Sequence, residues 1–152
     1  MGHATGETGR QVQDSVAQRL GMHSMAIPSR NSRVYRMEYI SNLCLLATTL
    51  HKIAEEVYQT SGEEFGEVSE AFTKGTVGSS TMPQKRNPIS SELMLACAKG
   101  VRQQAGLMLD AMIQDFERST GPWQAEWIAI PEAFALSAAS LGQAKFMLAG
   151  LE

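Results

Sequence analysis

Residues 31–60 read NSRVYRMEYISNLCLLATTLHKIAEEVYQT, thirty residues without a single glycine or proline. Within them Val34, Ile40, Leu43, Leu46, Leu50, Ile53, Ala54 and Val57 recur at steps of three and four. That period places the apolar side chains on one face of a helix and is incompatible with the two-residue alternation of a strand. At 1.5 Å per residue the predicted rod is roughly 43 Å long, more than a compact domain of this length requires. A helix of that length implies a bundle shared with other chain segments or with other subunits.

The same period extends outward on both sides. Upstream, Val12, Val16 and Leu20 lie four apart and are followed by Gly21, which predicts a short helix from about Gly9 to Leu20. Met22 to Arg30, with Pro28, reads as a connection. Downstream, Ser61 to Thr76 is acidic, with Glu63, Glu64, Glu67 and Glu70 around Phe65, Val68 and Phe72, and a short helix there is one option. Gly75, Gly78 and Pro83 break any period, so residues 74–86 are predicted as a loop of a length more often functional than merely connecting. Asn87 and Pro88 have the pattern of an N-cap and first-turn residue, opening a second long helix to about Gln114. Gly121-Pro122 breaks the chain again before a third, marked by Trp127, Ile130, Phe134, Leu141, Phe146 and Leu148, with Pro131 expected to kink or interrupt its first turns. No strand pattern or repeat appears. The fold class is all-α, a single helical domain over 1–152 built as a long-helix bundle.

Composition narrows the function classes. A 43% hydrophobic content supports a core, and the net charge of -3 comes from 13 basic and 16 acidic residues with no basic block to follow a phosphate backbone. Nucleic acid is not an expected partner. No run approaches the roughly 18 to 20 apolar residues of a membrane helix, and no basic-then-apolar leader pattern is present. Cys44 and Cys97 lie singly in apolar helical stretches and read as reduced core residues. A cytoplasmic protein without membrane contact is the expectation.

The loop carries the chemistry: Gly78-Ser79-Ser80-Thr81-Met82-Pro83-Gln84-Lys85-Arg86-Asn87-Pro88. By residue type alone, it sets a hydroxyl pair, a lysine and an asparagine just ahead of a helix N-terminus, whose free amides and dipole favour an anion such as a substrate carboxylate. A second reading stays open at this level. Gly78 is then a turn residue, Asn87 only a cap, Lys85 a solvated charge, and Ser79 and Ser80 ordinary loop hydroxyls.

The pattern Gly-Ser-Ser-x-Met-Pro-x-Lys-x-Asn, with Glu92 five positions past Asn87, resembles the signature of the fumarase/aspartase superfamily of lyases. The resemblance runs from about Gly9 to the end of the chain and implies the central helical domain of that fold, truncated on its N-terminal side. It further implies a base that removes a proton from the carbon next to a carboxylate, an aci-carboxylate intermediate, and loss of oxygen or nitrogen from the adjacent carbon. Fixed donors must meet the added charge of that intermediate, at about 3 to 4 kcal/mol per donor. By resemblance, Ser79 is the general base and Glu92 the carboxylate that orients a histidine. Ser80, Thr81, Met82, Lys85, Asn87 and Arg118 are substrate-binding, with Lys85 and Asn87 holding the carboxylate and Met82 and Pro83 also shaping the loop. No metal or cofactor is implied.

The family's histidine belongs to an upstream Thr/Ser-and-His segment, and none of His3, His23 or His51 matches it. The family also assembles homotetramers whose active sites draw on three subunits. The expectations are therefore that 152 residues represent about the middle third of an enzyme and that this chain alone has no turnover. Glu117-Arg118, followed by Trp123-Gln124-Ala125-Glu126-Trp127, looks most like 3-carboxy-cis,cis-muconate cycloisomerases. Arg118 would grip a second carboxylate of a small polycarboxylate. The alternatives are an adenylosuccinate lyase, whose phosphate-gripping serine and arginine are here replaced by Trp123 and Trp127, and a non-catalytic helical scaffold. In the upstream segment Pro28-Ser29-Arg30-Asn31-Ser32-Arg33, only Arg33 matches the family's pattern.

Overall fold

The structure is a computed structural model, described over residues 6–27, 32–71, 79–82, 84–115 and 119–152. Four helices follow in order: α1 (Glu7–Arg19), α2 (Val34–Thr60), α3 (Ile89–Ala111) and α4 (Pro122–Ala149). No strand occurs among the described residues, as the helical periodicity requires. The chain divides into two units, residues 1–32 and 33–152. No helix is long and apolar enough to cross a membrane among the described residues.

The first unit holds α1, which buries none of its residues. It ends as its sequence predicts. Gly21, at φ +66°, takes the left-handed conformation, Gly21 N–H donates to Gln18 (3.1 Å), and Met22 N–H donates to Ala17 (2.8 Å). This is a complete Schellman stop. The chain after it is tied back by Gln13, whose amide donates to the Met25 carbonyl at 3.0 Å, and by a Ser24–Asp14 hydrogen bond.

The second unit is a three-helix bundle with three core layers. One end joins Leu50, Ala54 and Val57 of α2, Met94 of α3, and Ala144 and Met147 of α4. The middle joins Ala47, Ala98 and Val101, and the far end joins Ile40, Met108, Ala129 and Ala133. Residue numbers rise along α2 and α4 as they fall along α3. Hence α3 runs antiparallel to both neighbours and packs against each. The buried positions are rich in alanine, which lets the helices approach closely. A Cβ on Gly100 of α3 would lie 2.6 Å from Leu136 Cδ1 of α4. The Cys44 thiol donates to the Val101 carbonyl at 3.5 Å between α2 and α3, and Tyr39 stacks on Phe134 with ring centres 5.3 Å apart between α2 and α4.

Three expectations change. The acidic segment is not helical through Ala71: turns at 61–65, with Gly66 at φ +59°, lead into irregular chain over 66–71. The third long helix is not interrupted at Pro131, one of the two outcomes expected there; the helix runs on through this exposed residue. Proline removes one N–H and leaves the carbonyl four residues back without its helical partner. That carbonyl belongs to Trp127, itself exposed to solvent, where water can satisfy it. Finally, α3 starts at Ile89 with Pro88 rather than Asn87 in the cap position, and no cap side chain bonds to its first turn.

Candidate functional site

Ser79, Thr81 and Met82 form one turn. The half-buried Ser79 hydroxyl oxygen accepts from the Met82 N–H at 3.2 Å and from the Thr81 N–H at 3.4 Å, with Thr81 Oγ1 also 3.4 Å away. Serine folds its oxygen back on its own backbone in this way because the short side chain reaches amides two and three residues on. The turn aims two donors at the oxygen that a serine base must carry as an alkoxide before it takes a proton. Hydrogen bonds to a charged form favour that form, so the two amides favour the alkoxide over the neutral hydroxyl.

The remaining loop residues hang from that turn. Lys85 N–H donates to the Met82 carbonyl at 3.0 Å, holding the Lys85 backbone next to the serine turn while its side chain lies exposed. Ser80, Thr81 and Met82 are exposed as well. Asn87 is half-buried, and its carbonyl accepts from Ile89 N–H at 2.9 Å. Glu92 sits in the first turn of α3 with its side chain exposed and its N–H bonded to the Pro88 carbonyl at 3.0 Å. The structure thus joins Ser79, Thr81, Met82 and Lys85 through one turn and sets Asn87 and Glu92 on the start of α3. Gly78, Pro83, Glu117 and Arg118, together with Pro28 to Asn31 and His3, lie outside the described residues.

Two interactions were not legible in the sequence. The Glu70 carboxylate accepts from Ser90 N–H (3.0 Å), Ser91 N–H (2.8 Å) and the Ser91 hydroxyl (2.7 Å), and so caps α3 from a distant segment. With Ile89 and Glu92 bonded to Asn87 and Pro88, every first-turn amide of α3 is engaged by the protein itself. The helix N-terminus is therefore not open to a substrate anion, contrary to the reading by residue type. Nothing in the run of four glutamates singles out Glu70; its three companions are exposed.

The second is a buried pair between Arg33 and Glu126, only 3% and 4% exposed, joined by Arg36, whose Nη1 lies 3.4 Å from Glu126 Oε2. Glu126 is thus engaged by the arginines at the start of α2. Arg33, expected to match the family's upstream arginine, is taken up in this pair. Trp123 and Trp127 meet edge to face with centroids 5.2 Å apart. Of the histidines, His23 is exposed, and His51 is partly buried on α2 with Nε2 3.8 Å from Glu55 Oε2. Neither adjoins the serine turn in the chain.

Comparison with known proteins agrees with this fold. The profile of the family described as "Lyase" matches residues 2–102. Trans-aconitate decarboxylase 1 of Mycosarcoma maydis is 40% identical over 147 residues, covering 97% of this chain and 30% of its own length. The 3-carboxy-cis,cis-muconate cycloisomerase of Pseudomonas aeruginosa is 40% identical over 149 residues, covering 98% of this chain and 32% of its own. Among solved structures, 3-carboxy-cis,cis-muconate lactonizing enzyme from Pseudomonas putida superposes with a TM-score of 0.86 at 34% identity, over 98% of this chain and 33% of that one. The chain spans about a third of the length of these relatives. On the strength of the family match, the loop and the helical fold together, the chain belongs to the lyase family of the fumarase/aspartase superfamily.

Proposed function

We propose that this chain is the central section of a lyase or cycloisomerase that removes a proton next to a carboxylate, with Ser79 as the base. The observation that carries the reading is the serine turn, in which the Thr81 and Met82 amides point at Ser79 Oγ. In the proposed step Oγ, as alkoxide, takes the proton from the carbon beside the substrate carboxylate. The electron pair moves into that carboxylate to give the aci-form. Its return expels oxygen or nitrogen from the adjacent carbon and leaves a carbon–carbon double bond. Lys85 and Asn87, on the backbone that follows the turn, supply charge and a hydrogen bond to the aci-carboxylate, where fixed donors act most strongly. Ser80, Thr81 and Met82 border the same substrate, and Glu92 orients the group that protonates the departing atom.

The substrate class is a small polycarboxylate, as in a 3-carboxy-cis,cis-muconate cycloisomerase. Two of the similar proteins are named for carboxylates, trans-aconitate and 3-carboxy-cis,cis-muconate. The edge-to-face Trp123–Trp127 pair favours this class over a phosphate-bearing substrate. Arg118 is the proposed partner of a second carboxylate. The site is completed by further copies and by chain segments that this sequence does not match, so the 152-residue chain alone is expected to show no elimination. Measurable turnover by the purified chain would refute that.

The decisive experiment replaces Ser79 with alanine in the full-length protein that carries this segment. A fall in kcat of about 10²-fold or more, with a smaller change in KM, supports the base assignment. An unchanged rate of elimination overturns it.

A further inference from the structure

We propose that Glu70 is a positioning residue for the loop, acting as a clamp that fixes its described residues, 79–82 and 84–87, relative to α3. This rests on the loop being the reactive segment proposed above.

Glu70 makes three hydrogen bonds across twenty residues of chain, all to the first turn of α3: Ser90 N–H to Oε2, and Ser91 N–H and Oγ–H to Oε1. Ser90 and Ser91 are buried, so the carboxylate is held away from bulk water at its contact. The positive end of the α3 dipole favours a negative charge there, and α3 has no cap side chain of its own to compete. A charged acceptor on two adjacent backbone donors is among the stronger hydrogen-bond arrangements available.

The segment that carries Glu70 is itself fixed from the other side. Ser69 and Glu152 exchange a reciprocal pair of backbone hydrogen bonds at 2.8 and 3.0 Å. Val68 packs with Leu151 on the core layer formed by Leu50, Met94 and Met147. Ala71 lies so close to Gly150 that a Cβ there would sit 2.4 Å from its own Cβ. Glu70 is thus planted between the end of α4 and the start of α3.

Ser79, Ser80, Thr81, Met82, Lys85 and Asn87 all lie between these two anchors. Closing the ends of a loop removes much of the conformational freedom of what lies between them. Reacting groups displaced by about 1 Å can lose about 10²-fold in rate. Glu70 touches no substrate in this scheme. It sets where the serine turn and Lys85 stand when substrate arrives.

The test has a structural and a kinetic arm. In the 152-residue chain, Glu70→Ala should speed amide hydrogen exchange at Ser90 and Ser91 by about 10-fold or more relative to the Leu95 amide. In the full-length protein it should lower kcat by about 10-fold or more with KM changed by less than about 3-fold. Ser91→Ala removes only the hydroxyl bond and should keep kcat within about 3-fold. Glu70→Gln keeps an acceptor but turns a donor toward one of the two amides, so it should recover part of the loss; it also serves if the alanine variant does not fold. Unchanged exchange at Ser90 and Ser91 overturns the clamp. So does a kcat loss no larger than that of Val68→Ala, which loosens packing in the same segment. The exchange arm does not depend on Ser79: failure of the serine test would remove the base and leave the clamp measurable, whereas unchanged exchange removes the clamp alone.

Discussion

At the residue scale the strongest commitment is the buried charge pair. Arg33 and Glu126 lie almost wholly out of water, at the start of α2 and in the second turn of α4. Removing one partner of such a pair leaves an uncompensated buried charge, which costs about 3 to 5 kcal/mol, whereas replacing both with apolar residues costs far less. Glu126→Gln should therefore destabilise the bundle by about 3 kcal/mol or more in urea unfolding, and Arg33→Leu combined with Glu126→Leu should recover most of that loss. Equal stability of Glu126→Gln and the unaltered chain would show the pair to be weak. Cys44 offers a second test. Burial pushes its thiol above the usual value, against the opposing pull of the Arg102 charge. In a Cys97→Ser background, alkylation of Cys44 at pH 8 should run at least about 10-fold slower in the folded chain than in urea. Matching rates would show that the site is open.

At the element scale two glycines separate space that can yield from space that cannot. A Cβ at Gly100 meets the end of the Leu136 side chain, which can rotate, while alanine also improves helix propensity by up to about 1 kcal/mol. Gly100→Ala should be nearly neutral in thermal unfolding. A Cβ at Gly150 meets the Cβ of Ala71, which cannot move without its backbone. Gly150→Ala should cost about 1 to 3 kcal/mol, the usual range for overpacking, and should loosen the Ser69–Glu152 pairing. The reverse order of the two variants would mean that the segment around Ala71 is not held against α4. The same segment explains the missing helix after Ser61. A short acidic stretch gains little as a helix, while three bonds to α3 and a reciprocal pair with Glu152 reward the irregular course.

At the scale of the whole molecule the bundle is built inside out for a free-standing unit. Its buried positions are largely alanine and methionine, whereas Tyr35, Leu45, Trp127 and Ile128 are each 60% or more exposed. Large apolar side chains left exposed in this number suit an interaction surface better than a solvated face. Continuity with the proposed homo-oligomer follows: sedimentation at micromolar concentration should show association, and Leu45→Glu together with Ile128→Glu should shift the chain toward monomer. A monomeric unaltered chain would remove this support for oligomerisation through the bundle.

The sequence by itself determined the helices, their order and the loop, because a three-to-four-residue apolar period, the Gly21 stop and the Gly121-Pro122 break are local signals that need no tertiary partner. It also determined the family, since the signature lies within one continuous stretch from Gly78 to Glu92. The tertiary structure alone decided how that stretch is anchored. Glu70 reaches α3 across twenty residues and Arg33 reaches Glu126 across most of the chain, and neither separation leaves any period or motif in the sequence. The charge of Glu70 looked like that of Glu63, Glu64 and Glu67 until packing at the end of the bundle brought it to two buried amides. For the same physical reason the amides at the start of α3 read as an open anion site in the sequence and are filled in the fold. Local geometry writes itself into spacing, whereas a long-range hydrogen bond is specified only by where the packed helices bring its two ends.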